Sequence, residues 1–314
     1  MSRPHRIVIL GRAFPQMPDL IRKAELGEAI LLPEAPDVSP EQLRDAVTGA
    51  AGIVAMPHVP VGAELMDMAG ESLRVISNHA VGLDNIDLQA AADRHIAVFN
   101  TPDPVCEPTA DVAWLLMMGA ARRVREGEQL IRDKQWTGFA ADLLLGRRMI
   151  GRTLLIVGAG RIGAAVARRA VGWNMHVLYV ANSDKPNLEG PPIHATRVEL
   201  DAGLAEADFV SLHVPLTPET RHLINASRLA LMKPTAVLVN TARGPIVDEE
   251  ALINSLRKQE IFAAGLDVFD GEPSVRPEFL ELPNVLALPH LGSATEEDRL
   301  WTTHLVVENL ARVL

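Results

Sequence analysis

The stretch "GRTLLIVGAGRIGAAVARRAVGW", Gly151 to Trp173, constrains the fold more than any other part of the chain. An apolar run, Thr153 to Val157, meets Gly158, Gly160 and Gly163, after which Ile162, Val166, Ala170 and Trp173 recur at helical intervals. In a strand that turns into a helix through G-x-G-x-x-G, the first glycine permits the tight turn and the second lets the backbone approach a pyrophosphate. The third lets the helix pack closely on the strand, and the helix-terminal N–H groups then face the anion. A further strand-like run, His176 to Val180, completes a dinucleotide-binding βαβ pattern.

In such a unit a carboxylate at the end of the second strand accepts hydrogen bonds from the adenosine ribose of NAD. Here that place is Ala181, followed by Asn182, Ser183, Asp184 and Lys185. A carboxylate there would repel the 2′-phosphate of NADP, since unit charges about 4 Å apart at an effective dielectric of about 20 interact by about 4 kcal/mol. Its absence lifts that exclusion. Asn182, Ser183 and Lys185 are candidate donors to the phosphate, and Asp184 is expected to point away. The loop therefore predicts NADP as the favoured cofactor, with NAD as the alternative.

Apolar runs alternate with longer helical stretches elsewhere too: Ile7 to Leu10, Ile53 to Met56, Arg74 to Ser77, Phe209 to Val214, Ala236 to Asn240 and Ala263 to Val268. Alternation with room for crossover helices is the pattern of α/β folds with parallel sheets covered on both faces. A chain of 314 residues exceeds the usual size of one domain. Strand entries near Ile7 and near Leu154 open two separate units. "NTPDPVCEPTADVAWLLMMGAA" and "LPHLGSATEEDRLWTTHLVVENLARVL" each run from a proline turn into a helix and read as crossings between domains. The first helix is expected to begin near Thr109. The second carries Ser293 and Glu296 at capping-box spacing, with Leu300, His304, Val307 and Val313 at helical intervals. The expected layout is a discontinuous domain of 1–99 and 291–314 around a dinucleotide-binding domain of 100–290.

Composition narrows the partners. Apolar residues make up 48% of the chain and no run approaches the roughly 20 needed to cross a bilayer, so no membrane partner is expected. The net charge of −10 disfavours nucleic acid and leaves small molecules. "MSRPHRIVIL" has too short an apolar run for a signal peptide. The lone Cys106 allows neither an internal disulfide nor a cysteine-based zinc site, and a cytoplasmic protein is expected. The histidines His5, His58, His95, His176, His194, His222 and His304 lack metal-ligand spacing, so no metal is assigned. His213, at a strand end, reads as structural.

Three further segments are "VNTARGPIVDEEAL" with Arg243, "AGLDVFDGEP" with Asp267 and Glu272, and "LPHLGSAT" with His290. In this order after "VGAGRIG" and "SLHVPLTPETRHLI", they resemble the D-isomer-specific 2-hydroxyacid dehydrogenases, most of all the glyoxylate and hydroxypyruvate reductases. The resemblance covers nearly the whole chain and is strongest from Gly151 to Thr295. Pattern and resemblance together imply two doubly wound, Rossmann-like domains with the site in the cleft between them and hinge closure during hydride transfer.

The resemblance implies that Arg243 binds the substrate carboxylate and polarises the ketone, a task suited to a permanently charged planar fork. It makes His290 the general acid in reduction, apt for a side chain with an ordinary pKa of about 6.5, and Glu272 the group that orients the ring and favours its charged form. It places Arg161 and Ile162 on the pyrophosphate; Val214, Pro215 and Thr220 along the adenosine side; and Thr241, Ala242 and Asp267 near the nicotinamide, with Thr109 another cofactor contact. "SNHAVGLDNID" resembles the loop whose Val81 and Gly82 amides hold the substrate carboxylate, with His79 and Ala80 adjacent. Backbone donors at a glycine turn make a plausible anion nest.

Pro104, Cys106 and Pro108 depart from the family pattern around Thr109. Trp136 and Phe139 fall in a segment that in such reductases reaches the neighbouring subunit's site, and surface packing is the alternative. Met56 and His58 are candidates for an outer pocket wall. "ARRVREGEQLIRDKQW" reads as a solvated face or subunit arm. The greasy helix from Thr109, with the resemblance, implies a homodimer. The expected activity is reduction of small 2-oxo acids to D-2-hydroxy acids. A phosphoglycerate or other D-2-hydroxyacid dehydrogenase using NAD, or a nonenzymatic dinucleotide-sensing binder of the same fold, are the alternatives.

Overall fold

The computed structural model describes residues 4–33 and 38–314. Chain contacts divide it into two compact units, Met1–Val105 with Ser293–Leu314, and Cys106–Gly292.

The first unit is a parallel sheet of β1 (Arg6–Leu10), β2 (Glu28–Leu32), β3 (Gly52–Ala55), β4 (Val75–Asn78) and β5 (Ala97–Phe99), in the order β2-β1-β3-β4-β5. Successive side chains of a strand point to opposite faces, and both faces here are buried, which is why β1 and β3 read as apolar runs, while β4 ends on the buried polar Ser77 and Asn78. Val8, Leu10, Ile53 and Ile76 pack on one side, and Ile7, Ile9, Val54 and Val75 on the other. A fully buried Leu, Ile or Val side chain contributes roughly 1.5–3 kcal/mol. The second face is covered by Met17 and Ile21 of one helix and by Val306, Val307 and Leu310 of the terminal helix Glu296–Ala311.

That helix starts differently from the expected capping box. Thr295 is the N-cap: its hydroxyl accepts the Asp298 N–H at 3.1 Å, while Glu296 is the first helical residue. Ser293–Glu296 and Thr295–Asp298 share the same spacing, so spacing alone cannot choose between them. The acidic Glu296, Glu297 and Asp298 then lie in the first turn, where the helix dipole favours them.

The second unit is a parallel sheet of β6 (Thr153–Val157), β7 (His176–Val180), β8 (Thr196–Arg197), β9 (Phe209–Leu212), β10 (Val237–Asn240), β11 (Ala263–Leu266) and β12 (Val285–Ala287). Its order, β12-β11-β10-β9-β6-β7-β8, is that of a dinucleotide fold, reversing direction between β6 and β9. Leu154 and Ile156 face a layer containing helices Cys106–Ala121 and Arg161–Ala170; Leu155 and Val157 face a layer containing Leu204, Leu252 and Leu256. The apolar helix begins at Cys106 rather than near Thr109, because Pro108 falls in its first turn, where a missing N–H is tolerated. Trp114 donates to the Val166 carbonyl at 3.1 Å and stacks on Trp173, which belongs to a 3₁₀ turn following the helix rather than to the helix itself.

All the interior strands coincide with the apolar runs. The remaining ones, β2, β5, β8 and β12, are the sheet edges. No helix among the described residues is long and apolar enough to cross a membrane. Among those residues, no group of three or more His, Cys, Asp or Glu side chains converges as a metal-ligand set.

Candidate active site

The glycine loop sits where the second sheet reverses. Gly158 follows β6 with φ of 99°, and a Cβ there would lie 2.7 Å from the backbone of His213 and 2.8 Å from that of Val214, just past β9. Gly160 caps the helix that begins at Arg161, and a Cβ on Gly160 would meet nothing within 4 Å. Gly163 is buried and Ile162 half-buried beside it. The loop thus combines a tight turn with an open face over a helix N-terminus, a cradle that fits a pyrophosphate. His213 shares a hydrogen bond with Ser211 Oγ at 2.8 Å, and removal from water pushes its imidazole down to about 3, so it is neutral at pH 7. Val214 is half-buried and Pro215 exposed. Thr220 accepts the Thr217 N–H at 2.7 Å and donates to the Pro215 carbonyl at 2.6 Å, so its hydroxyl closes that turn.

Arg243, Glu272 and His290 come together in the same unit. At the end of β10 the buried Asn240 side chain donates to the Arg243 carbonyl at 2.8 Å and accepts the Ala242 N–H at 3.0 Å, folding Thr241–Arg243 into a turn. Arg243 itself donates to the Ala242 carbonyl at 2.7 Å. Gly244 lies directly on the Phe269–Asp270 backbone, where a Cβ would come within 1.9 Å, so the arginine turn is tied to the segment carrying Glu272. Thr241 is buried and its Oγ1 has no hydrogen-bond partner among the described residues. A buried hydroxyl left unsatisfied costs about 1–3 kcal/mol, which a water or a polar group of a ligand at this place would offset.

Glu272 accepts the Phe269 N–H through Oε1 at 2.8 Å, and its Oε2 lies 2.8 Å from His290 Nδ1. Burial alone would raise its pKa. Hydrogen bonds from His290 and Phe269, with the charges of His290 and Arg243, outweigh burial and hold it below the ordinary carboxylate range. An ionised Glu272 fixes the proton on Nδ1 and leaves the other ring nitrogen for chemistry.

His290 occupies a left-handed conformation, φ of 54°, which a non-glycine residue keeps only when its surroundings impose it. Asp267 imposes it. The Asp267 carbonyl accepts the His290 N–H at 2.9 Å, Oδ1 accepts Leu291 N–H at 2.7 Å, and Oδ2 accepts Gly292 N–H at 2.8 Å. Asp267 is 1% exposed. Burial pushes its carboxyl up to about 6, against the pull of the Leu291 N–H, the His290 charge and the Gly292 N–H. Thr109, also buried, lies against this turn, its Oγ1 3.2 Å from where a Cβ on Gly292 would stand.

In the first unit, the turn after β4 has its carbonyls drawn inward. Thr101 N–H donates to the Ala80 carbonyl at 3.0 Å, Asn100 Nδ2 to Val81 at 2.9 Å, and Asn78 Nδ2 to Gly82 at 2.7 Å. The N–H groups of Val81 and Gly82 find no acceptor among the described residues. His79 is 4% exposed with Nδ1 unpartnered; burial, then the charge of Arg299, push it down to about 4. Met56 is buried and packs with Ile9 and Val54.

The loop after β7 holds Asn182, Ser183 and Lys185 at the surface or half-buried. Lys185 Nζ donates to Ser183 Oγ at 3.2 Å, and Asp184 pairs with Arg197 at 2.8 Å. Arg197, on the edge strand β8, is the cation that sequence reasoning missed, because a two-residue exposed strand leaves no periodic signal. Trp136 and Phe139 are exposed, at 58% and 94%, and Cys106 is half-buried at its helix start.

Residues 114–292 match the family described as D-isomer specific 2-hydroxyacid dehydrogenase, NAD binding domain. A glyoxylate reductase of Thermococcus gammatolerans is 43% identical over 96% of this chain and 91% of its own length. A glyoxylate/hydroxypyruvate reductase B of Escherichia fergusonii is 40% identical over 96% and 93%. The crystal structure of an NADPH-dependent glyoxylate/hydroxypyruvate reductase of Sinorhizobium meliloti, in complex with NADP and malonate, matches with a TM-score of 0.84 and 34% identity, covering 99% of this chain and 93% of that one.

Proposed function

Because this chain belongs to the D-isomer-specific 2-hydroxyacid dehydrogenase family, a family of oxidoreductases with a nicotinamide-dinucleotide domain, we propose that it reduces glyoxylate to glycolate and hydroxypyruvate to D-glycerate, favouring NADPH. The observation that carries the reading is the His290–Glu272 pair at 2.8 Å, with Arg243 tied to the same segment and the glycine loop in the same unit.

Arg243 binds the substrate carboxylate and polarises the neighbouring carbonyl with a charge that does not titrate. The bound reduced nicotinamide supplies the hydride. His290 gives a proton to the carbonyl oxygen as the carbon is reduced, so C=O becomes CH–OH and the histidine ends neutral. Glu272 stays ionised throughout and stabilises the imidazolium beforehand. Asp267 keeps the His290 turn in place, Thr241 offers its unpartnered hydroxyl to the cofactor, and the available N–H groups of Val81 and Gly82 support a role in carboxylate binding.

The absence of a carboxylate at Ala181 supports NADPH over NADH. The exposure of Trp136 and Phe139 supports burial against a second copy of the chain in a homodimer, which sedimentation at micromolar concentration tests. The test of the whole reading is the initial rate of glyoxylate and hydroxypyruvate reduction with NADPH and NADH in parallel, with chiral analysis of the glycerate formed. Fast turnover with NADPH to the D product is expected. An L product or no turnover with either 2-oxo acid would refute it.

A further inference from the structure

Edge strand β8 adds a positive charge to the end of β7. Tyr179 and Arg197 are partners in the β7–β8 register, and the arginine side chain runs on past the end of β7. Its Nε donates to the Ala181 carbonyl at 3.2 Å, and one terminal nitrogen donates to Asp184 at 2.8 Å. The loop itself is pinned from beneath. Tyr179, the sole tyrosine and 0% exposed, donates its hydroxyl proton to Glu189 and accepts the Lys185 N–H at 2.9 Å. Ser183 and Lys185 meet on the same loop at 3.2 Å.

This is the position at which a dinucleotide fold meets the ribose 2′ carbon. The single carboxylate of the loop, Asp184, does not stand there alone: its charge is committed to Arg197. Both side chains of that pair are well exposed, at 70% for Asp184 and 40% for Arg197. An exposed ion pair contributes little to stability and exchanges readily. A 2′-phosphate carries close to two charges and several acceptor oxygens, so it competes well for a planar guanidinium.

We propose that Arg197 is the specificity-determining cation of this loop: it releases Asp184 and takes the 2′-phosphate of the cofactor, with Ser183 and Lys185 completing the site. The proposal rests on the NADPH reading above. With NADH no phosphate arrives, the Asp184–Arg197 pair stays intact, and Arg197 adds nothing to binding. Asp184 then acts as an internal competitor, holding the guanidinium over the site while weakening phosphate binding.

The test measures binding of 2′,5′-ADP and of 5′-AMP by calorimetry to the full-length protein, its Arg197→Gln variant and its Asp184→Asn variant, alongside Michaelis constants for NADPH and NADH. Loss of a charge-assisted hydrogen bond predicts that Arg197→Gln weakens 2′,5′-ADP by roughly 10- to 100-fold. The same variant leaves 5′-AMP and NADH within about twofold, which also shows that the site is still folded. Asp184→Asn is expected to tighten 2′,5′-ADP by about 2- to 5-fold, since the competing partner is lost. If the native protein prefers 2′,5′-ADP and Arg197→Gln keeps that preference, the Arg197 proposal fails while the NADPH reading stands. If the native protein does not distinguish the two ligands, both fail.

Discussion

At the turn that carries His290, a buried carboxylate takes up consecutive backbone N–H groups; at the turn that follows β4, amide side chains and a backbone N–H take up consecutive carbonyls. Asp267 leaves the first turn with an imidazole held outward in a strained left-handed conformation. Asn78, Asn100 and Thr101 leave the second with N–H groups to spare. Each turn is rigid because one pole of its backbone is satisfied internally, and which pole is satisfied decides what it offers. In the proposed function the first would offer an acid and the second an anion nest.

The largest effect is expected where the first turn meets chemistry. His290→Asn preserves the fold of the turn but removes the proton donor, and kcat should fall by roughly 10²- to 10⁴-fold with the cofactor Michaelis constant little changed. A loss below tenfold would mean that another group supplies the proton.

Asp267→Asn tests the clamp behind that histidine. An amide has one acceptor oxygen, so one of the two N–H groups now facing the carboxylate would meet an NH₂ instead. Leaving such a donor unsatisfied costs about 1–3 kcal/mol, which should appear as a lower urea midpoint and as a kcat loss of about tenfold or more. Unchanged kcat in a destabilised variant would separate stability from positioning and break the parallel between the turns.

The matching change in the other unit is Asn100→Ala, which removes the donor to the Val81 carbonyl. A net hydrogen bond is worth about 0.5–1.5 kcal/mol, so the Michaelis constant for the 2-oxo acid should rise about 2- to 10-fold while kcat holds. The reverse split, kcat falling at constant Michaelis constant, would assign that turn a different task.

How much of this was legible in the sequence follows from burial. Every interior strand is fully or largely buried on both faces, as in the Leu154–Val157 run, and announced itself by composition. The edge strands bury less: β5, apolar through Ala97–Phe99, is half-buried throughout, and β8 is a two-residue exposed strand with no apolar run to read. Arg197 was hidden for that reason, since only the β7–β8 pairing brings it to the loop at Ala181. The candidate trio Arg243, Glu272 and His290 was singled out through the resemblance, and the structure sets Glu272 and His290 2.8 Å apart. Its support was less legible: no spacing rule says that Asp267 holds the His290 turn, because that contact joins the end of β11 to a loop beyond β12. Nor could spacing choose Thr295 over Ser293 as the helix cap.

The smallest effect sharpens the comparison through pH. Each turn has one buried titratable group, and the two are displaced in opposite senses. His79 is pushed down from 6.5 to about 4, so between those values the unfolded chain binds a proton that the folded chain refuses, and stability falls as pH falls. Asp267 is pushed up from 3.8 to about 6, so over nearly the same interval the folded chain keeps a proton that the unfolded chain has lost, and stability falls as pH rises. A full one-proton difference is worth about 1.4 kcal/mol per pH unit, and between about pH 4 and 6 the two contributions oppose each other. Urea midpoints taken across that window should therefore diverge on substitution. His79→Asn should make stability rise on acidification relative to the native protein, and Asp267→Asn should make it fall. Above about pH 8 both groups have finished titrating in both states, so the three curves should run parallel there, offset only by lost packing and hydrogen bonds. Curves parallel throughout would mean that neither group is shielded from water, and the two turns would then differ in hydrogen bonding alone.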